Sequence, residues 1–300
     1  MPLTWPEAER VALRFVLDHT LDLTDKPGSA QDAAMELIAL GLRLSLICPA
    51  PATPDRRIAS RRAFHRMKNL ASPFDSPLLK QARAKGRKAA ARPRLPKSPR
   101  PVTREVLEQL LASCDDTLRG LRDRAILSLG FASGGRRQSE ITSLYREDIG
   151  TEDYAGKGLL WLRLLQTKTP GKGDAPRLPL KGRAARAVIG WIEAGRITEG
   201  PLFRPVSQVD RALPRKLAPD AIRTILRYRL KLAGLPENYA TPHGLRSGFL
   251  TQAALDGVPL AAAMKLSLHR SALQAQRYYA DVEISENPAT DLLDRDALHH

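Results

Sequence analysis

Residues Lys80 to Pro101 read KQARAKGRKAAARPRLPKSPRP, with almost no large apolar side chain and with prolines at 93, 96, 99 and 101. Proline lacks the backbone donor and clashes with the preceding turn, so no helix runs through the end of this stretch. A chain of 300 residues interrupted there is expected to fold as two domains, and its 43% apolar content is enough for a core in each. The expected boundaries are a helical domain over 1–95, a basic, proline-rich linker over 96–102, and a second domain over 103–300 that includes a C-terminal tail.

Several classes are disfavoured at once. The longest unbroken apolar run, Leu260 to Met264, is five residues, far below the roughly 20 needed to span a bilayer. No membrane helix is expected. The start, Met1-Pro2-Leu3-Thr4-Trp5 followed by Glu7 and Glu9, is not a basic n-region leading into an apolar stretch, so secretion is not expected either. Cys48 and Cys114 are too few for a disulfide framework or a four-cysteine zinc site. The reading is a cytoplasmic protein without structural metal.

Charge supplies the first functional clue. The chain carries 48 basic and 32 acidic residues, a net of +16, which favours a polyanionic partner: nucleic acid first, a membrane surface second. The excess is localised. Residues 1–54 hold four bases and seven acids, whereas 55–100 hold fifteen bases and two acids, and 101–300 add a net of +6. Such a run is either a solvated face or a DNA-backbone contact. The candidates for contact are Arg56, Arg57, Arg61, Arg62, Arg66, Lys68, Arg83, Lys85, Arg87 and Lys88.

Helical spacing occurs near 6–20, 31–47 (Met35, Ile38, Leu42 and Leu46), 55–70 and 77–90. Beyond the prolines, Thr103 caps a helix burying Val106, Leu107, Leu110 and Leu111, and Leu121 to Ala132 makes another ending at Gly134-Gly135. Leu159 to Thr167, the turn residues Pro170 to Asp174, and Arg177 to Leu180 read as a β-hairpin. Helical patterns return near 183–195, 219–233, 243–256, 259–267 and 271–280. The fold class expected is mainly α with a small β-hairpin or sheet.

Single motifs carry little weight. Six histidines and 35 arginines in 300 positions give about 0.7 chance occurrences of H-x-x-R, so one match proves nothing. The ordered set carries more. The chain offers Gly135-Arg136-Arg137-Gln138-Ser139-Glu140-Ile141, then Thr167-Lys168-Thr169 at the hairpin, His243-Gly244-Leu245-Arg246, His269, and Tyr278 nine residues later. This order resembles the tyrosine recombinase (phage integrase) family over about 102–282. Two positions depart from the family's habit: Leu268 stands where glycine is common, and Arg136 where an apolar residue is usual.

The resemblance implies an N-terminal helical core-binding domain and a C-terminal catalytic domain that clamp DNA, and a site-specific recombinase or integrase that cleaves and rejoins DNA through a 3′-phosphotyrosyl link. The residue types suit that chemistry. In-line attack on a phosphodiester gathers charge on its equatorial oxygens, which fixed cationic donors must meet. Arg137 and Arg246 offer bidentate guanidinium groups for this. Forming tyrosinate at pH 7 from a phenol of pKa near 10 costs about 4 kcal/mol unless a neighbour takes the proton. Tyr278 is read as nucleophile, His243 as its base, and His269 as a donor to a phosphate oxygen. Tyr279, adjacent, would point about 100° away on a helix and is expected to pack against the domain.

The family gives its strand lysine the task of protonating the departing 5′ oxygen. Lys168 is the first candidate, with Lys172 in the next turn and Lys157 and Lys181 flanking. Glu140, three residues after Arg137, either orients that guanidinium, as the family's acidic position does, or is an ordinary exposed helix glutamate. No metal or cofactor is required by this scheme. The partners implied are double-stranded DNA and a homotetramer on two DNA sites, with accessory DNA-bending proteins left open. Two other readings stand beside it: a catalytically silent DNA-binding regulator of the same fold, and an enzyme resembling type IB topoisomerases that relaxes DNA without exchanging partners.

Overall fold

A computed structural model of the chain describes residues 7–89, 96–164, 175–269 and 271–283. The chain divides into two compact units, Met1–Leu95 and Pro96–His300. Its described elements are mostly helical with one small sheet, and none of the described helices is long and apolar enough to cross a membrane.

The first unit contains α1 (Glu9–Asp18), α2 (Ser29–Ala39), α3 (Ala52–Met67) and α4 (Pro77–Ala89). Ala12 and Val16, four apart on α1, face Ile58 of α3, Leu79 of α4 and Phe74 of a short turn to form its core. Helical spacing had suggested one helix over 31–47, but α2 stops at Ala39. Gly41 adopts φ +68°, and the N–H groups of Leu42 and Arg43 both donate to the Leu37 carbonyl, closing the helix end. Leu42 and Leu44 are therefore exposed instead of continuing an apolar face.

The second unit runs α5 (Arg104–Ala112), α6 (Leu118–Ala132), α7 (Gln138–Thr142), β1 (Ile149–Gly150), α8 (Tyr154–Lys157), β2 (Leu159–Arg163), β3 (Arg177–Lys181), α9 (Gly182–Ala194), α10 (Pro219–Leu232), α11 (His243–Leu255), α12 (Leu260–Ser267) and α13 (Ala272–Glu283). The sheet is antiparallel in the order β1-β2-β3, with Leu160 opposite Leu180 and Leu162 opposite Leu178. Period-two alternation puts these four leucines on one buried face, packed with α6 and α9. β1 and α8 were not foreseen, being too short to leave a periodic signature.

Helix α6 is the axis of this unit. Ala125, Ile126, Leu127 and Leu129 are all fully buried, one side meeting the sheet cluster and the other α5, α10 and α11. At its first turns the helix carries a buried ion cluster. Arg122 donates two hydrogen bonds to one oxygen of Asp123, and Arg229 of α10 donates two to the other, at 2.7–3.0 Å. Arg229 also donates to the Ser113 carbonyl, so one guanidinium joins α10, α6 and the end of α5.

The segment 96–102, read as a linker, is packed against the second unit. The Ser98 hydroxyl accepts from the Thr241 amide at 3.0 Å, the Thr241 hydroxyl donates to the Lys97 carbonyl, and the Val102 amide donates to the Gly244 carbonyl. Val102 is fully buried. A Cβ at Gly248 would lie 1.8 Å from the Val102 carbonyl oxygen, so only glycine lets α11 approach this strap so closely.

Truncating Asp123 leaves two buried guanidinium groups uncompensated. Asp123→Ala is expected to destabilise the second unit by about 3–5 kcal/mol, read as the urea midpoint. Glu237→Ala, which breaks the exposed pair with Arg227, should cost about 1 kcal/mol or less.

Candidate active site

The site begins where α6 ends. Gly134 and Gly135 have φ of +96° and +72°. A Cβ on Gly134 would fall 2.4 Å from the Leu266 carbonyl group, and one on Gly135 would fall 2.3 Å from the Cα of Arg246. Both the backbone conformation and the lack of space require glycine. This turn brings the chain against the start of α11 and the end of α12 together, and it releases Arg136 and Arg137 just before α7.

The two arginines point differently. Arg137 has a side chain 45% exposed, while that of Arg136 is 1% exposed. Glu140 is buried between them: one carboxylate oxygen accepts from the Arg137 guanidinium, and the other accepts from the Arg137 amide at 3.1 Å and lies 3.7 Å from Arg136. Glu140 is thus no ordinary exposed helix residue.

Helix α11 starts at His243 and turns Arg246 inward, where its guanidinium donates to the Gly135 carbonyl at 3.1 Å. Helix α12 ends with Leu268 in the left-handed conformation, φ +53° and ψ +38°. That is a position glycine adopts without cost and leucine adopts at about 1–2 kcal/mol. The turn delivers His269, whose Nδ1 lies 3.1 Å from the Arg246 guanidinium and 2.8 Å from the Ser267 hydroxyl. From α13 the Tyr278 hydroxyl reaches His243 Nε2 at 3.1 Å, and its ring centroid is 6.4 Å from that of His269. Tyr279 is buried, packs with Leu250, Ala253 and Ala263, and donates to the Val258 carbonyl.

Five residues singled out in the sequence, Arg137, His243, Arg246, His269 and Tyr278, therefore meet at one place. Lys168 and Lys172 lie outside the described residues. The hairpin arms that flank them are held together, with Arg163 opposite Arg177 and the Leu164 amide donating to the Pro176 carbonyl.

Burial first, and concentrated positive charge second, set the protonation of the site. Burial, then the charges of Lys97, Arg246 and Arg137, lowers the pKa of His243 to about 4. Burial, then Arg246, Arg137 and Arg136, lowers His269 to about 4 as well. Burial pushes Arg246 down to about 10, with Arg136 and Arg137 adding to the effect, so it stays cationic at neutral pH. Both imidazoles are then neutral. Arginine has no acceptor, so His269 Nδ1 must accept from Arg246, and the ring proton sits on Nε2. A pocket of this kind offers an anion several guanidinium donors and an imidazole N–H, beside a phenol with a neutral imidazole at its hydroxyl.

Residues 100–284 match the phage integrase family. The chain belongs to that family. Among curated relatives, it is similar to an integrase/recombinase XerD homologue of Selenomonas ruminantium, 30% identical over 195 residues, covering 63% of this chain and 56% of the relative. It is also similar to the tyrosine recombinase XerC of Rhodospirillum centenum, 31% identical over 239 residues, covering 76% of this chain and 61% of the relative. The chain thus spans about three-fifths of the length of these relatives. Two solved structures share the fold. One is the Tn1549 transposon integrase in complex with circular intermediate DNA, with a TM-score of 0.51 and 18% identity over 92% of this chain and 91% of that one. The other is the XerH recombinase bound to palindromic difH substrate, with a TM-score of 0.50 and 16% identity over 94% and 95%.

The cations singled out in the basic run of this integrase-family chain lie on α3, at its end (Lys68) and on α4, and pairing divides them. Arg61 pairs with Glu7 and lies over Phe15, Arg62 pairs with Asp75, and Arg83 and Arg87 share Asp55. Arg57 meets His19. Arg56, Arg66, Lys68, Lys85 and Lys88 are exposed and have no ion pair among the described residues. Counting charges in the sequence does not reveal this division.

The histidines give the free protein a defined acid sensitivity. Their folded pKa of about 4 lies below the unfolded value of about 6.5, so between these values the unfolded chain binds more protons. Stability should rise with pH across that window and fall as the solution is acidified from pH 6.5 to 4. Urea midpoints measured at intervals of pH check this, and His243→Gln with His269→Gln should flatten the curve.

Proposed function

We propose that this protein is a site-specific DNA recombinase that breaks and rejoins DNA through a 3′-phosphotyrosyl intermediate. The observation that carries the reading is the 3.1 Å contact between the Tyr278 hydroxyl and a neutral His243 imidazole beside Arg137, Arg246 and His269. Arg137 and Arg246 bind the nonbridging oxygens of the scissile phosphate, and His269 donates its Nε2 proton to one of them. Tyr278 attacks phosphorus in line, its proton passing to His243, and the phosphorus bond to the 5′ oxygen breaks. The leaving oxygen takes a proton from a lysine of the β2–β3 connection, Lys168 first and Lys172 second. A free 5′ hydroxyl from a partner strand then reverses the step, so no external energy source is needed.

Binding and base strength are linked in this scheme. The arginines that depress His243 are neutralised when a phosphodiester enters, so its pKa climbs as substrate binds and the imidazole becomes a stronger base where it is used. Exposed Arg56, Arg66, Lys68, Lys85 and Lys88 supply backbone contacts from the first unit, and the active assembly is a homotetramer on two DNA sites. Lengthwise, this chain covers only part of its curated relatives, and the reading supports itself on the family match to 100–284 and the site geometry.

Nicked duplexes taken from the DNA flanking its gene provide the test. Tyr278→Phe should keep DNA binding and lose the covalent adduct on a denaturing gel, and an undiminished adduct would refute the mechanism. Tyr279→Phe should keep the adduct and lose about 1 kcal/mol of stability. His243→Gln should slow adduct formation by about 10²–10⁴-fold.

Affinity should also fall steeply with salt, and each exposed cation of α3 and α4 replaced by alanine should flatten the log–log slope by about 0.9 if it holds a phosphate. Filter binding at graded salt measures this; Arg83→Ala, which breaks an internal pair, should act on stability instead.

A further inference from the structure

Arg136 adjoins Arg137, yet its side chain is 1% exposed whereas that of Arg137 is 45% exposed. Arg136 Nη2 donates to the Leu266 carbonyl at 2.8 Å and approaches the Gly134 carbonyl at 3.4 Å, while Nη1 lies 3.7 Å from Glu140. Its Nε is buried without a hydrogen-bond partner among the described residues. Burial lowers its pKa to about 10, which leaves it charged at neutral pH.

The Leu266 carbonyl belongs to the last turn of α12, where helix geometry leaves carbonyl oxygens without intrahelical partners. The residues that follow are Ser267, Leu268 in its left-handed conformation, and His269. A leucine in that conformation does not hold itself there, so the turn needs an external constraint. Arg136 supplies one, since it is the charged donor on the carbonyl just upstream. Through Glu140 the same guanidinium is tied to Arg137.

We propose that Arg136 is a positioning residue: it holds the α12 turn that presents His269, and through shared Glu140 it fixes that turn relative to Arg137. The proposal rests on the reading of His269 and Arg137 as phosphate ligands, but it is tested without DNA, so its failure would leave that reading standing. The groups facing His269 are Arg246 and His243 of α11, Arg136 and Arg137 of the α6–α7 turn, Ser267 of α12 and Tyr278 of α13. Removing one cation from this set acts on His269 directly.

Two variants of the full chain separate position from packing. Arg136→Met keeps the bulk and removes donors and charge, while Arg136→Lys keeps the charge and loses the planar fork. Histidine ring resonances, assigned by His269→Gln, report the titration of His269, and amide exchange reports the last turn of α12. In Arg136→Met, His269 should titrate about half a pH unit higher, with the Leu266 and Ser267 amides exchanging at least about tenfold faster. In Arg136→Lys, His269 should stay near its parent value while those amides still exchange faster. A role in packing alone would lower stability and leave the Leu266 and Ser267 amides exchanging at the parent rate in Arg136→Lys, where the charge is kept. His269 titrating as in the parent in Arg136→Met, or parent-rate exchange in both variants, overturns the proposal. If Arg136→Met does not fold, Arg136→Lys decides alone: faster exchange at Leu266 and Ser267 supports it, and parent-rate exchange overturns it.

Discussion

Three guanidinium groups, those of Arg136, Arg137 and Arg246, converge where Glu140 supplies a buried carboxylate, and like charges at this range repel unless rigid structure opposes them. That opposition comes from backbone. Gly134 and Gly135 let the end of α6 press on α11 and α12 with no side chain between, and the carbonyls of Gly135 and Leu266 each accept from one of the cations. Burial and the surplus of positive charge together keep both imidazoles neutral, and Arg137 is left as the exposed member of the three.

The cluster at Asp123 uses the same ingredients to the opposite end. Two arginines there place all four of their short hydrogen bonds to side chains on one carboxylate, and a fifth on a carbonyl. All three side chains of that group are buried, and together they lock α10 to α6. The pair of clusters shows how one residue type serves as clamp or as receptor, according to whether its donors are spent inside the fold.

Chemistry was more legible in the sequence than geometry. The order of Arg137, His243, Arg246, His269 and Tyr278 could be read because the ordered set as a whole resembles the tyrosine recombinase family, while arginine alone is too common in this chain to point anywhere. The Gly134-Gly135 pair could be read as a helix end because positive φ favours glycine. Arg136 could not be read, since a charged residue beside another charged residue gives no sign that it is buried; only its replacement of an apolar residue hinted at the interior. Leu268 is similar: it stands where glycine is common in the family, and the structure shows it in a left-handed conformation not foreseen from the sequence. Apolar spacing carried the second helix too far because Gly41 outweighs the periodicity of Leu42 and Leu46. The basic run was visible as charge, but its internal pairs to Glu7, Asp55 and Asp75 depend on tertiary neighbours.

The strap at 97–102 bears on where this protein can be cut. Excising the second unit from Thr103 onward would strip the Thr241 amide and the Gly244 carbonyl of their partners and open a hole beside Gly248 where Val102 sits. The damage would fall on the first turn of α11, next to His243, and so an inert fragment would say nothing about whether the missing helices were needed. A fair dissection begins upstream of Lys97.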